Sequence, residues 1–200
     1  MKQLLTGHSA PAAKTSILWF RFLFNAIRRS GLDSQDIAKS VGFDVAMLDN
    51  PDAYIQDEFT ALLLMAAVEK SANITYGLKA GQYFVPSAFG PLGYAMMTSA
   101  NLRGALERTT YFTASVTDTT RTRMSYTGNS CLFEIQMPSY FPEVARVVDE
   151  FMMTSILTAF RWLVGFDFIP LSIEFMHEQP SEIAPYQKAF GRIPVFSSQR

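Results

Sequence analysis

Cysteine and histidine, which carry much of the redox and metal chemistry of proteins, are scarce in this sequence. The 200 residues include one cysteine, Cys131, and two histidines, His8 and His177. One cysteine cannot form an internal disulfide, which suits a reducing compartment, so we expect a cytoplasmic protein. The sequence also lacks a GxSxG, CxxC, HExxH or glycine-rich phosphate-binding motif. It therefore predicts a protein that is not an enzyme and that holds no metal or cofactor.

An excess of positive charge and a long apolar run are missing as well. The chain has 17 Lys and Arg against 18 Asp and Glu, so its composition does not favour binding to a phosphate backbone. The longest apolar run, residues 61–68, is far shorter than a membrane span, and the first sixteen residues lack the apolar core of a signal peptide. We therefore expect this chain by itself to bind neither DNA nor a membrane.

Large apolar side chains are abundant. Hydrophobic residues make up 48% of the chain, including 17 Phe and 10 Met, which is ample for a core. The pattern predicts a flexible leader over residues 1–15, a helical lobe over 16–118 and an α+β lobe over 119–200. Both lobes are expected to form one domain.

The first half of the chain has helical periodicity. Ser16 is predicted to cap a helix whose apolar residues lie on more than one side, so that helix is either central or lines a cavity. Asp57 is predicted to cap a later helix, and a short helix is expected over residues 74–82. Residues 89–116 combine a glycine–proline corner, a short apolar helix and a longer helix with one apolar face.

The second half changes period. Residues 119–126 and 131–137 alternate in polarity around the turn Gly128-Asn129, which predicts a β-hairpin. A long amphipathic helix follows, with Arg146 and Glu150 on its solvated side, and it ends at Gly165. Alternation predicts strands over residues 171–177 and 193–196, with Ser181 capping a short helix between them. The expected fold class is α+β: a helical N-terminal lobe, then a small antiparallel sheet with a long helix packed on it.

Three stretches together carry a family resemblance. They are RRSGLDSQDIAKSVGFDVAMLDNPDAYIQDEFTALLLMAAVEKSANITYGLKAG, FGPLGYAMMTSANLRGALERTTYF and PLSIEFMHEQPSEIAPYQKAFGRIPVFSS. In order and spacing, they resemble the N-terminal "arabinose-binding" effector domain of one branch of the AraC-type transcription regulators. The resemblance implies two short helices over residues 34–50, although the rhythm there is also that of a helix-turn-helix. Lys39 is the one basic residue of that segment, which is unfavourable for reading DNA.

The resemblance also implies a function. It implies a domain that senses a small-molecule effector, forms a homodimer and acts on DNA through a C-terminal helix-turn-helix domain that this chain lacks. The chain is then either a fragment of a longer regulator, which we favour, or a protein that has lost its DNA-binding domain. A ligand-free dimerisation or interaction module is the alternative.

Candidate ligand-binding residues come from the supply of aromatic and methionine side chains, which adapt their packing to different contents. A filled core would have the same composition. His177 is in phase with the apolar side of its predicted strand, where it either contacts a ligand or bonds a backbone carbonyl. Arg121 is either a solvated residue or part of a clamp for a ligand carboxylate, and Cys131 is interpreted as a packing residue. The predicted ligand-binding residues are Phe22, Tyr94, Met97, Arg121, Met124, Phe133, Met152, Phe175, His177 and Tyr186.

Overall fold

The computed structural model describes residues 13–137 and 142–198, which form eight α-helices and two small antiparallel sheets. The fold class is therefore α+β, as expected. The predicted leader lies mostly outside the described residues. The helices are α1 Ile17–Arg29, α2 Ser34–Val41, α3 Glu58–Ser71, α4 Tyr76–Gly81, α5 Gly90–Met97, α6 Leu102–Phe112, α7 Pro142–Val164 and α8 Ala184–Phe190. The strands are β1 Lys14–Ser16, β2 Tyr54–Gln56, β3 Arg121–Thr127 and β4 Ser130–Gln136.

Helix α1 lies at the centre of the fold. The Ser16 side chain accepts a hydrogen bond from the Leu18 amide and so begins the helix, as predicted. Eight of its thirteen residues are buried, including Phe20 and Phe24, which share a side of the helix next to the main apolar stripe. A helix that is apolar on most sides must be surrounded by other elements, and this explains its central position.

The segment that follows forms two short helices, as the resemblance implied. Helix α2 is capped by Asp33, whose side chain accepts from two backbone amides. A 3₁₀ helix, Val45–Asp49, begins at Asp44, whose side chain likewise accepts from a backbone amide. Asp57 stands at the start of α3 as predicted, but its side chain makes no capping hydrogen bond. It bonds threonine hydroxyls instead, because β1 and the segment after α6 lie beside it.

Helices α4 and α7 pack with their backbones in close contact. A Cβ atom on Gly77 would lie 2.4 Å from the Val147 carbonyl oxygen, and one on Gly81 would lie 2.7 Å from the Thr154 Cβ. Only glycine allows this approach. The long helix is thereby fixed against the helical half of the chain, and the main core draws residues from both sides of the predicted lobe boundary.

The β3–β4 hairpin has the predicted strands and turn. Thr127 pairs with Ser130, and Gly128 in the turn has a φ of +57°. Met124 pairs with Phe133 on the face that packs against the core, and Phe133 contacts Phe160 of α7. Cys131 is exposed, so its interpretation as a packing residue was wrong.

The predicted C-terminal strands were wrong. Residues 171–177 and 193–196 share an isolated parallel bridge between Glu174 and Val195, and the bonds from Ser197 and Ser198 to carbonyls of the first segment do not extend it into a regular strand. Ser197 has a φ of +55°, outside the extended region, so the second segment does not continue as a strand. They do not extend the hairpin, and the second sheet is instead the unpredicted pair β1–β2. The side chain of Ser181 does not cap α8, which begins after Ile183 without a side-chain cap, although Gly191 ends the helix as expected.

Candidate functional site

A cavity of about 80 Å³ lies between α1, α5, α6 and α7, beside the hairpin. Twelve apolar residues line it: Trp19, Phe84, Phe89, Leu92, Met96, Val116, Met137, Val148, Met152, Ile156, Ala159 and Phe160. Seven threonines, Thr15, Thr60, Thr109, Thr113, Thr117, Thr120 and Thr122, line it together with Asp57 and Ser155. The cavity is thus largely apolar with a belt of hydroxyl groups.

Aromatic rings form the end of the cavity near α1. The Trp19 and Phe89 ring centroids are 5.6 Å apart, and those of Phe84 and Phe89 are 5.0 Å apart. Phe89 is positioned by the predicted corner, where Gly90 has a φ of +51° that other residues rarely adopt. A Cβ at Gly90 would also lie 2.9 Å from a Leu18 methyl carbon, which would have to shift, so the positive φ is the main reason for glycine at this corner.

Threonine hydroxyls and one carboxylate form the polar side. Thr15 Oγ1 donates to Asp57 Oδ1 at 2.5 Å, and Thr119 Oγ1 donates to Asp57 Oδ2 at 3.1 Å. Thr117 Oγ1 lies 2.8 Å from the Thr15 hydroxyl and 2.9 Å from that of Thr119. This network ties β1, the start of α3 and the segment after α6 together at the edge of the cavity.

Further hydroxyl groups are held by the walls themselves. Trp19 Nε1 donates to Thr60 Oγ1 at 3.1 Å. The hydroxyls of Thr113 and Thr122 lie 3.2 Å apart and join α6 to the hairpin. Among the described residues that line the cavity, Asp57 is charged and no lysine, arginine or histidine is present. The site can therefore enclose an apolar molecule and offer it hydroxyl partners.

The predicted ligand-binding residues fall into different places. Met152 lines the cavity. Phe22 lies in the adjoining core, with its ring stacked 5.3 Å from that of Phe151, and Met124 and Phe133 pack between hairpin and core. Met97 is half-buried, whereas Arg121 and Tyr94 are exposed, Tyr94 to 66%. Phe175, His177 and Tyr186 lie together in a second cluster. The assignment of these residues to a ligand stays a prediction.

The threonines were missed, although the sequence carries a signal for them. Seven of the fourteen residues from 109 to 122 are threonine. Thr113 directly follows the last residue of α6 and lies one helical turn after Thr109, so the two side chains share a face. Threonine fits a surface that is part apolar and part polar, and such a dense run near an apolar stretch is the pattern that would have indicated the belt.

A second polar cluster surrounds Glu150 of α7, and here the prediction that Glu150 is solvated was wrong. Glu150 is fully buried, because α4 and α8 cover that side of α7. Tyr186 of α8 donates a hydrogen bond to its Oε1, and Arg146 Nε lies 3.4 Å from the same oxygen. Burial raises the Glu150 pKa to about 7, although the Tyr186 hydrogen bond and the Arg146 charge oppose the rise.

His177 borders this cluster. Its Nδ1 lies 2.9 Å from the Glu178 carbonyl oxygen, which is the carbonyl contact foreseen for it. Burial lowers the His177 pKa. Its Nε2, the Glu150 Oε2 and the Thr154 Oγ1 are buried without a hydrogen-bond partner among the described residues. Burial of Asp149, next to Glu150, raises its pKa to about 6.

Arg161, near the end of α7, holds the C-terminal segments in place. Its guanidinium donates to the carbonyl oxygens of Phe168, Ala189 and Phe190 at 3.1, 2.9 and 3.3 Å. The last two are at the end of α8, where carbonyls lack helical partners. Arg161 is therefore a partner for the negative end of the α8 dipole.

The described ranges lack two features that would have indicated another kind of function. None of their helices combines the length and apolar content needed to cross a membrane. Over the same residues, no three His, Cys, Asp or Glu side chains are grouped so as to bind a metal ion.

Comparison with known proteins gives a family and two relatives. A family model described as "Arabinose-binding domain of AraC transcription regulator, N-term" matches residues 31–200. Proteins of Mycobacterium bovis and Mycobacterium tuberculosis, each described as an uncharacterized HTH-type transcriptional regulator, are 27% identical to the chain over 183 residues. The match covers 89% of the chain and 52% of each relative. The chain thus spans about half the length of the curated relatives it matches.

Proposed function

This chain belongs to the family of N-terminal arabinose-binding domains of AraC transcription regulators, and we propose that it senses a small apolar or amphipathic effector in the cavity between α1, α5, α6 and α7. The observation that carries the proposal is the cavity itself, with its apolar walls and threonine belt. A sugar would need many paired polar groups around its hydroxyls. Among the described lining residues Asp57 is the one carboxylate and no Asn, Gln, Lys, Arg or His is present, so hydroxyl groups alone would have to pair with the rest of a sugar.

The cavity is small for an effector. Its volume of about 80 Å³ is below the ~150 Å³ of an engineered cavity that takes up benzene. Met96, Met137 and Met152 line it, and unbranched methionine side chains re-pack readily. Binding would therefore move these side chains and the elements that carry them, and a ligand that prefers one arrangement shifts the population toward it.

The same proposal assigns the chain to a homodimer that acts on DNA through a further domain. The relatives it matches are about twice as long and are described as HTH-type regulators, which supports a DNA-binding domain elsewhere in such a protein. Exposed apolar side chains after the middle of α7 support a self-association surface. They include Trp162, Phe166, Ile169 and Leu171, which are 52%, 64%, 56% and 79% exposed. Groups of exposed apolar side chains are typical of surfaces that bind another protein.

Ligand binding is tested with a thermal-shift screen of small metabolites on the chain and on two variants. Ala159→Leu adds three carbon atoms at a cavity-lining position of α7, whereas Ala145→Leu makes the same change on α7 away from the cavity. A bound effector should raise the melting temperature of the wild type and of Ala145→Leu, but not that of Ala159→Leu. An equal rise in all three proteins would place the ligand elsewhere.

A ligand-free dimerisation module is the second candidate, favoured by the same exposed apolar residues near the end of α7. Light scattering over a concentration series measures the oligomeric state. A dimer whose melting temperature no metabolite changes would favour this candidate. A monomer that responds to a ligand would contradict the homodimer and keep the sensing role.

A further inference from the structure

Most hydroxyl groups around the cavity already donate a hydrogen bond to another group of the protein. This restricts which ligands the cavity can bind. A threonine or serine hydroxyl has one proton and two lone pairs. Once the proton is donated to a neighbouring acceptor, only a lone pair remains for a ligand. The hydrogen-bond partners within the walls therefore indicate the chemistry of the molecule that fits.

In α6, just after it and in α7, the hydroxyl groups of three lining residues donate hydrogen bonds to backbone carbonyl oxygens. Thr109 Oγ1 donates to the Ala105 carbonyl oxygen at 2.8 Å, and Ser155 Oγ donates to that of Phe151 at 2.7 Å. Thr113 donates to the Thr109 carbonyl oxygen at 2.6 Å. The contact between Thr113 and Thr122 must then use the proton of Thr122. The hydroxyl oxygens of these four lining residues thus keep lone pairs as their remaining hydrogen-bonding capacity.

At the edge of the cavity the Asp57 carboxylate is the hydrogen-bond acceptor. It accepts from Thr15 and Thr119, and Thr15 is also placed to donate to Thr117. Because Thr119 donates to Asp57, the contact between Thr117 and Thr119 uses the proton of Thr117. Two hydroxyl groups, those of Thr60 and Thr120, can still donate a hydrogen bond to a ligand. Thr60 accepts from Trp19, and the acceptor near Thr120 is the Met137 sulfur at 3.6 Å, a weak partner. Acceptor oxygens therefore outnumber available donors around the cavity.

Charge adds a second restriction. The one charged group among the described lining residues is the Asp57 carboxylate, and no cationic side chain faces the cavity there. An anion that enters an apolar cavity without a cation or several donors loses its hydration without compensation. Arg121, the predicted carboxylate clamp, is exposed on the hairpin and is not part of the lining.

We infer that the effector is an uncharged apolar molecule that donates a hydrogen bond, such as an alcohol or a phenol, and that carboxylates are rejected. This inference rests on the proposed sensing function and names the ligand class for the same cavity. The donor group binds a lone pair of the threonine belt, while the apolar body contacts Trp19, Phe89 and the methionines.

Three probes of equal ring size separate donor, acceptor and charge. Benzyl alcohol donates a hydrogen bond, its isomer anisole only accepts one, and benzoate is an anion. Titration of the 200-residue chain, labelled with ¹³C at the methionine methyl groups, gives both affinity and place of binding by NMR. Signals of Met96, Met137 and Met152 report the cavity, and those of the exposed Met47 and Met176 are controls.

Benzyl alcohol should bind roughly 2- to 12-fold more tightly than anisole, the range that one hydrogen bond supplies. Benzoate should bind most weakly, and the shifts should be confined to the three cavity methionines. Equal or tighter binding of anisole or benzoate, with the same cavity signals moving, would overturn the donor rule and leave the sensing function standing. If no probe moves those signals, both the inference and the cavity as an effector site fail.

Discussion

Replacement of Glu150 by glutamine should stabilise the protein at neutral and alkaline pH. Glu150 is fully buried, and burial raises its pKa from 4.5 to about 7. A carboxyl whose pKa is raised on folding favours the folded state when protonated, and this advantage disappears as the pH rises through the folded pKa. At ~1.4 kcal/mol for each pH unit between the two values, ionisation lowers the free energy of unfolding by roughly 3 kcal/mol.

The Glu150 pKa rises because desolvation of the carboxylate outweighs the charges and the hydrogen bond around it. Tyr186 and Arg146 favour the ionised form, whereas Asp149 disfavours it, and desolvation is larger than any of these effects. Glutamine cannot ionise, and it can still accept the hydrogen bond from Tyr186. The free energy of unfolding of Glu150→Gln should therefore match the wild type near pH 4.5 and exceed it by roughly 3 kcal/mol at pH 8.

Urea unfolding followed by circular dichroism, at several pH values between 4.5 and 8, measures this difference. Asp149, with a pKa raised to about 6, makes both proteins less stable as pH rises, and His177, with a lowered pKa, acts in the opposite direction. The burial of Asp149 and His177 is common to both proteins, so its effect cancels when wild type and variant are compared at each pH, and only the smaller repulsion between Asp149 and Glu150 is lost in the variant. Glu143→Gln, at an exposed position in the first turn of the same helix, is the control: loss of a carboxylate at a helix N-terminus should lower the free energy of unfolding at pH 8 by at most ~1 kcal/mol, opposite in sign to Glu150→Gln. If the difference in unfolding free energy between Glu150→Gln and the wild type does not change with pH, the reasoning is refuted.

Three other changes test the packing. Gly77→Ala should destabilise the fold by about 1–3 kcal/mol in urea unfolding, because its Cβ would lie 2.4 Å from the Val147 carbonyl oxygen; unchanged stability would contradict the close α4–α7 contact. Arg161→Gln should lower stability by about 1–3 kcal/mol and increase amide exchange in α8, since three carbonyl oxygens lose a charged donor, whereas Arg123→Gln on the exposed strand face should change neither. The exposed Cys131 should react fully with a thiol reagent in the native state, with an unchanged circular dichroism spectrum; slow reaction that needs denaturant would place it in the interior.

Local elements of this fold could be predicted because their signals lie close together in the sequence. The hairpin has alternation on both strands and a glycine at the turn, all within residues 119–137. Helix α1 carries its own cap at Ser16 and an apolar surface on most sides. In both cases the residues that decide the structure are neighbours along the chain, so the periodicity is sufficient.

Elements that depend on distant partners could not be predicted in the same way. Strands β1 and β2 have three residues each, which is too short for an alternation pattern, and they pair across about forty residues. From the sequence, Glu150 is expected to be solvated beside Arg146. The structure shows that its side of α7 is covered, by Tyr186 and by the glycines of α4. A charged residue in a helical pattern gives no sign of a partner 36 residues away.

The cavity illustrates the same limit for a functional site. The sequence drew attention to residues 89–116, which supply Phe89, Leu92, Met96 and Val116 to the lining, along with two threonines. The remaining walls come from β1, α1, α3, the hairpin and α7, so no local pattern contains the site. Composition indicated adaptable apolar side chains, but the choice between a filled core and a cavity required the positions of all these elements.

Helix α7 contacts both the cavity and the Glu150 cluster, and its packing suggests how an effector signal travels. Met152 faces the cavity, while Glu150, two residues earlier, faces α4 and α8. Because backbone contacts at Gly77 and Gly81 leave no space between α4 and α7, we expect these helices to move as one body with α8.

Effector binding should then displace the opposite walls, α5, α6 and the hairpin, and leave the surroundings of Glu150 unchanged. Linkage is reciprocal, so a ligand that does not alter the Glu150 pKa must bind with an affinity that is independent of that ionisation. Benzyl alcohol does not titrate between pH 6 and 8, and its dissociation constant should be the same at both values. A difference that disappears in Glu150→Gln would show instead that α7 shifts against α8 when the cavity fills, and the signal would then pass through the long helix.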